Sequence, residues 1–196
     1  MSTKLTPMAI AVLELVHERP MHPYEMRRLL RERGAELRLK ISAGALYRTV
    51  ERLTEDGVLE IVETSRDGNR PERTVYAVTG KGRDLFASST LDMLAVPAEE
   101  YPQFALAVDV IADLEPDAVR AALNMRLMYL DNKLASMSVV DRYTTEGKTH
   151  RMFLLDHEYR IHMWRAEREW TRNLLDDLES ERLTWPETKL GNSNEN

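Results

Sequence analysis

The chain has 196 residues, 43% of them hydrophobic and 31% charged, which is enough apolar material for one or two packed domains and too much for a wholly disordered chain. With no cysteine it offers no disulfide framework, no thiolate zinc site and no cysteine nucleophile, and its 8 Gly and 8 Pro fit no fibrous repeat. The net charge is −6, but residues 1–84 hold 15 Lys and Arg against 13 Asp and Glu, a net of +2, while residues 85–196 hold 12 against 20, a net of −8, so the acidity does not exclude a nucleic-acid surface near the amino end.

No apolar run approaches the ~20 residues that span a bilayer, and the amino terminus lacks the pattern of a signal peptide. A cytoplasmic protein with no membrane partner is expected.

Thr6-Pro7 opens the first helix, expected over Met8–Arg19 and stopped by Pro20. Pro23 starts a second, from Tyr24 to Arg33, with Met26, Leu29 and Leu30 on one side and Gly34 as its C-cap. Ser42 caps a third, Ala43–Asp56, closed by Gly57. Leu46, Val50 and Leu53 recur there at spacings of four and three, the mark of one buried face. The other face shows Tyr47, Arg48, Glu51, Arg52 and Glu55. Two strands follow, Val58–Glu63 and Thr74–Val78, around a turn signal at Asp67-Gly68 flanked by Arg66, Asn69, Arg70 and Arg73. Thr79 then caps a helix from Gly80 to Leu94.

Three helices, two strands and a helix in about 90 residues is the order of a winged helix-turn-helix, whose third helix enters the major groove while the hairpin tip lies along phosphates. The fold class expected is mainly α, with the winged domain over residues 1–95 and a long-helix dimerisation and effector domain over 96–186. Residues 187–196 read as a disordered tail.

In the second domain, Gln103–Asp113 is expected to be helical, with Phe104, Val108 and Ile111 on one side. From Pro116 a longer helix carries Val119, Leu123, Leu127, Leu130, Leu134 and Met137 as a sustained apolar stripe. A last helix is expected from Thr149 to Leu183, with Leu154, Ile161, Trp164, Leu175 and Leu178 on one side. Two such helices each bury one face and require a partner surface, which a second copy of the chain supplies most simply.

Tyr24-Glu25-Met26, Gly44-Ala45-Leu46-Tyr47, Leu53-Thr54-Glu55-Asp56-Gly57 and Tyr76-Ala77-Val78-Thr79 with Gly82, in that order, resemble the PadR-type transcriptional regulators. The resemblance covers residues 5 to about 86, with Arg48 standing where that family often has Pro. It implies a DNA-binding regulator, a helical C-terminal domain that dimerises, and, as in some relatives, sensing of small aromatic molecules.

The DNA-binding candidates are therefore Tyr24, Ser42, Tyr47, Arg48, Arg52, Arg66, Asn69, Arg70 and Arg73. Arg pairs with guanine or phosphate, Tyr and Ser hydroxyls donate to phosphate, and a cationic tip releases counterions. For the helix face the competing reading is a solvated surface of internal pairs such as Arg48–Glu51; for Tyr24 it is a half-buried aromatic. Phe153, Tyr159, Met163, Trp164 and Trp170 are candidate effector residues, against a competing role as ordinary interface packing. Glu158 and His162 have a spacing a metal uses, but two ligands do not make a site, and neither a metal nor another cofactor is expected. No nucleophile elbow, phosphate-binding glycine loop or HExxH helix is present, so no enzyme activity is expected.

The function expected is a homodimeric, sequence-specific repressor on a palindromic double-stranded operator, released by a small aromatic effector. The alternative is a winged-helix protein-interaction module without specific DNA binding.

Overall fold

A computed structural model describes residues 5–37, 39–65, 73–145 and 150–186. The chain divides into two compact units, residues 1–99 and 100–196. The 187–196 tail lies outside the described residues.

The first unit is built around α1 (Pro7–Glu18). The Ala9 N–H donates to the Thr6 hydroxyl (3.2 Å), and Pro7 takes the first helical position, where no N–H is needed. Met8, Ala9, Ala11, Val12, Leu13, Leu15 and Val16 are all buried, so α1 is covered on most of its circumference. Packed against it are α2 (Pro23–Glu32), α3 (Ala43–Glu55) and α4 (Gly80–Ala95), with a 3₁₀ turn at Ala35–Leu37 before α3. The core they close includes Met26, Leu30, Leu46, Val50 and Leu53.

The wing is an antiparallel pair, β1 (Leu59–Ser65) and β2 (Arg73–Val78), with a bulge between Ile61 and Glu63. The sequence reading missed a third piece. Met21, between α1 and α2, pairs with Tyr76 through two backbone bonds, Met21 N–H to Tyr76 O (3.0 Å) and Tyr76 N–H to Met21 O (3.2 Å). This ties the far edge of the wing to the helix-turn-helix.

In the second unit, α5 (Gln103–Asp109) ends in a 3₁₀ turn at Ile111–Asp113 rather than running on as one helix. The long helices α6 (Pro116–Thr145) and α7 (Leu155–Glu179) pack along one seam. Val119, Leu123, Leu127, Leu130 and Met137 are buried on α6; His157, Ile161, Thr171, Leu175 and Leu178 are buried on α7. Leu134 is half-buried.

The last helix is shorter than expected at both ends. Arg151–Leu154 form a 3₁₀ turn, held by Arg151 donating to Glu158 through Nε and Nη2 (both 2.9 Å). At the other end Glu181 turns left-handed (φ 57°) and the Leu183 N–H bonds the Asp177 carbonyl (3.1 Å), so the backbone leaves the helix before Leu183. The returning segment puts the Trp185 indole N–H on the Leu114 carbonyl (3.0 Å). No helix among the described residues is long and apolar enough to cross a membrane.

Candidate nucleic-acid interface

Helix α3 is fixed at both ends by its own sequence. Ser42 Oγ accepts from the Ala45 N–H (3.2 Å), and the hydroxyl proton remains free to donate outward. At the other end Gly57 is left-handed (φ 68°), the Val58 N–H reaches the Leu53 carbonyl (2.8 Å) and the Gly57 N–H reaches the Thr54 carbonyl (3.0 Å). That is a Schellman stop, with Leu53 and Val58 buried beneath it. With Leu46, Thr49, Val50 and Leu53 buried, helical periodicity leaves Gly44, Tyr47, Arg48, Glu51, Arg52 and Glu55 facing solvent.

The cations of the helix-turn-helix fall into two groups. Those on and around α2 are mostly neutralised. Arg19 donates to both carboxylate oxygens of Glu25 (3.2 and 2.6 Å), Arg28 pairs with Glu32 (3.1 Å), Arg31 with Glu36 (3.4 Å) and Arg33 with Glu18. Glu18 is held below its ordinary pKa of 4.5, first by the hydrogen bond from Arg33. Arg48 and Arg52 on α3 have no carboxylate partner among the described residues, so the internal pair Arg48–Glu51 that the sequence allowed is not formed. Instead the Arg48 guanidinium folds one turn back, and its Nη1 lies 3.2 Å from where a Cβ would stand on Gly44.

Tyr47 is 40% exposed beside Arg48, and Tyr24 is 66% exposed in the first turn of α2, so Tyr24 is not the half-buried aromatic of the competing reading. Its N–H donates to His22 Nδ1 (3.0 Å), which caps α2. Arg52 stands one turn beyond Arg48 on the same face of α3 and lines a cleft with Leu5, Lys81 and Leu85. Of the wing candidates, Arg73 begins β2, and Arg66, Asn69 and Arg70 lie outside the described residues.

Two residues that the sequence reading did not select belong to this surface. Tyr76 is half-buried on β2, and burial, then the charges of Glu51 and Tyr47, push its phenol above the ordinary pKa of 10.0. Tyr76 therefore lies near enough to α3 for the charges of Glu51 and Tyr47 to act on it. Gly44 is the other, because its missing side chain makes room for Arg48. Both sit inside the motifs that carried the resemblance, but nothing in their spacing marks them as neighbours.

The five effector candidates do not converge on one spot within a chain. Phe153 lies on the 3₁₀ turn before α7 and is 78% exposed. Tyr159, Met163 and Trp170 are exposed along α7, away from its buried line. Trp164 is half-buried under the Lys133 ammonium, 4.8 Å from the ring. Trp170 meets Phe104 edge-on (5.7 Å), and the Arg126 guanidinium lies over Phe104 (3.5 Å). Nearby, an apolar groove of about 480 Å³ runs between α5 and α6, lined by Phe104, Val108, Ile111, Ala118, Ala122 and Leu123. Among the described residues no group of three or more His, Cys, Asp or Glu is placed to hold a metal.

The transcriptional regulator PadR-like family matches residues 12–88. No curated protein matches the chain. Among solved structures, Bacillus subtilis PadR in complex with operator DNA superposes with a TM-score of 0.73 at 15% identity, covering 88% of this chain and 99% of that one. The same Bacillus subtilis PadR in complex with p-coumaric acid gives 0.71 at 14%, covering 88% and 98%. The Vibrio cholerae virulence activator AphA gives 0.68 at 14%, covering 89% and 99%. At such identities the likeness establishes a common fold, and it extends through both units. The sequence match over residues 12–88 identifies a PadR-like transcriptional-regulator domain in the first unit, and the solved structures share the fold along most of the chain.

Proposed function

We propose that the protein is a homodimeric, sequence-specific regulator that occupies a palindromic double-stranded operator in the cytoplasm and represses transcription there. The carrying observation is the outer face of α3. It holds Tyr47, Arg48 and Arg52 exposed, and both arginines are free of carboxylates among the described residues, while Arg28 and Arg31 of α2 and Arg33 just after it are ion-paired. A cation whose charge is already neutralised contributes little to a polyanion; a free one on a capped, rigid helix is ready to meet a base edge or a phosphate. Ser42 and Tyr24 supply hydroxyl donors at the helix starts, and the sequence between and at the start of the wing strands adds Arg66, Asn69, Arg70 and Arg73 as candidates for the neighbouring phosphates.

Uncovered apolar surface supports the dimer. Met125, Met128 and Tyr129 on α6 and Tyr159, Met163 and Trp170 on α7 are each at least 46% exposed. Surfaces of that kind mark association sites, and a two-fold dimer delivers two α3 helices to successive major grooves about 34 Å apart. A small planar acid such as the one bound to the Bacillus subtilis relative is the effector class to test, with Phe153, Tyr159, Met163, Trp164 and Trp170 as the residues to follow.

The test is a selection of bound duplexes from a random pool, followed by titration of the best inverted repeat. Arg48→Ala is expected to weaken binding about tenfold, while Arg28→Ala, which removes a paired cation, changes it less than twofold. Equal losses for the two variants, or no binding to any duplex at low salt, would overturn the reading.

A further inference from the structure

The face that α3 offers to DNA carries a carboxylate among its cations. Glu51 is exposed on the same side as Tyr47 and Arg48, and it has no hydrogen-bond or ion-pair partner among the described residues. Arg48, three residues earlier, is the natural partner on a helix. It is turned the other way, over Gly44, which has no side chain to resist it. On the wing, Tyr76 is bonded through its backbone carbonyl and N–H to Met21 (3.0 and 3.2 Å).

A free negative charge aimed at a polyanion weakens binding everywhere unless some base compensates it. The major-groove edges decide which base can. Guanine presents only acceptors, O6 and N7. Thymine presents O4 and a methyl group. Adenine offers its N6 amino group, but with the N7 acceptor beside it. Cytosine alone offers an amino donor, N4, with no acceptor on its own major-groove edge. A carboxylate is therefore attracted by cytosine and repelled, to differing degrees, by the other three. Arg48 has the opposite preference, donating in a fork to guanine O6 and N7. Along the helix the two side chains are separated by about 4.5 Å, somewhat more than the ~3.4 Å rise of one base-pair step.

We propose that Glu51 is a specificity-determining residue that accepts from the N4 amino group of a cytosine, while Arg48, kept from pairing with it by the space above Gly44, donates to a guanine in a neighbouring base pair. This rests on the reading of α3 as the groove-facing helix and adds the bases it selects: each half-site contains a cytosine and a guanine one step apart.

The experiment compares the wild type, Glu51→Gln and Arg48→Ala, each as the full chain, in selection from a random duplex pool. Competitive titration of the winning duplex against single-base substitutions follows. Glu51 is exposed and its amide replacement nearly isosteric, so folding is not at stake. The wild type is expected to prefer cytosine at one half-site position about tenfold. Glu51→Gln is expected to reduce that preference to less than twofold, bind non-cognate duplex more tightly, and leave preferences elsewhere unchanged. Arg48→Ala is expected to lose the neighbouring guanine preference instead. A wild type that selects a sequence, with Glu51→Gln selecting the same one equally strongly, would overturn the assignment while leaving the regulator reading standing. A wild type that selects no sequence would bring down both.

Discussion

At the scale of single residues, three glycines show how differently one residue type is used. A Cβ on Gly82 would stand 2.3 Å from the Val58 carbonyl oxygen and 2.8 Å from Val78 Cγ2, inside the joint where α4 leaves the wing. Backbone cannot yield there cheaply, so Gly82→Ala is expected to destabilise the first unit by about 1–3 kcal/mol, read as a lower urea midpoint with an unchanged slope. Gly44 is the contrast. Its nearest neighbour is the flexible tip of Arg48, and alanine favours an exposed helical position by up to about 1 kcal/mol, so Gly44→Ala is expected to hold or raise stability while displacing the guanidinium and weakening DNA binding. Gly57 is needed for its conformation alone, since its surroundings are empty and its φ is positive. The sequence announces Gly57 by its place after an apolar helix. It also announces the caps Thr6, Ser42 and Thr79, because capping is local chemistry. It gives no sign that Gly82 faces a carbonyl or that Gly44 accommodates an arginine, because both depend on what the fold brings near.

Elements were legible to the extent that their signals were local. The helices of the first unit begin where a capping side chain and a proline or small residue coincide, and they end at glycine or proline, so the order read from the chain matches the structure. The bridge at Met21 escaped because one residue in a connection has no periodicity. Helix α7 escaped at its ends because what stops it, the Arg151–Glu158 pair at one end and a left-handed Glu181 rather than a glycine at the other, leaves no periodic signal in the chain. Between α1 and α2 the ion pairs add a pH dependence of known sign. The carboxyl of Glu18 is depressed below 4.5 by Arg33, so its contribution is present above that value and is lost as pH falls through the lower folded-state pKa. Both partners are substantially exposed, which keeps the effect below about 1 kcal/mol. Glu18→Gln is expected to remove that small acid-side slope in urea titrations below pH 4.5 and to leave stability at higher pH lower by a similar amount, independent of pH.

At the scale of the whole molecule, charge and apolar surface divide the labour. The amino-terminal 84 residues are net positive and the remainder carries −8, so the part expected to meet DNA is electrostatically attracted to it and the other part is repelled. The second unit also leaves apolar side chains facing outward along both long helices, with Met128 62% and Met163 52% exposed and neither needed for the seam that joins α6 to α7. If that surface is where two copies meet, a charge on each helix should part them without unfolding either. The double variant Met128→Glu, Met163→Glu is expected to halve the mass measured by light scattering at micromolar concentration and to keep the helical circular-dichroism signal. Its affinity for an inverted repeat is expected to fall to that for a single half-site, because the second contact then no longer benefits from tethering. A variant that stays dimeric would move the interface off these two helices, and a monomer that binds the repeat as tightly as before would separate dimerisation from operator recognition.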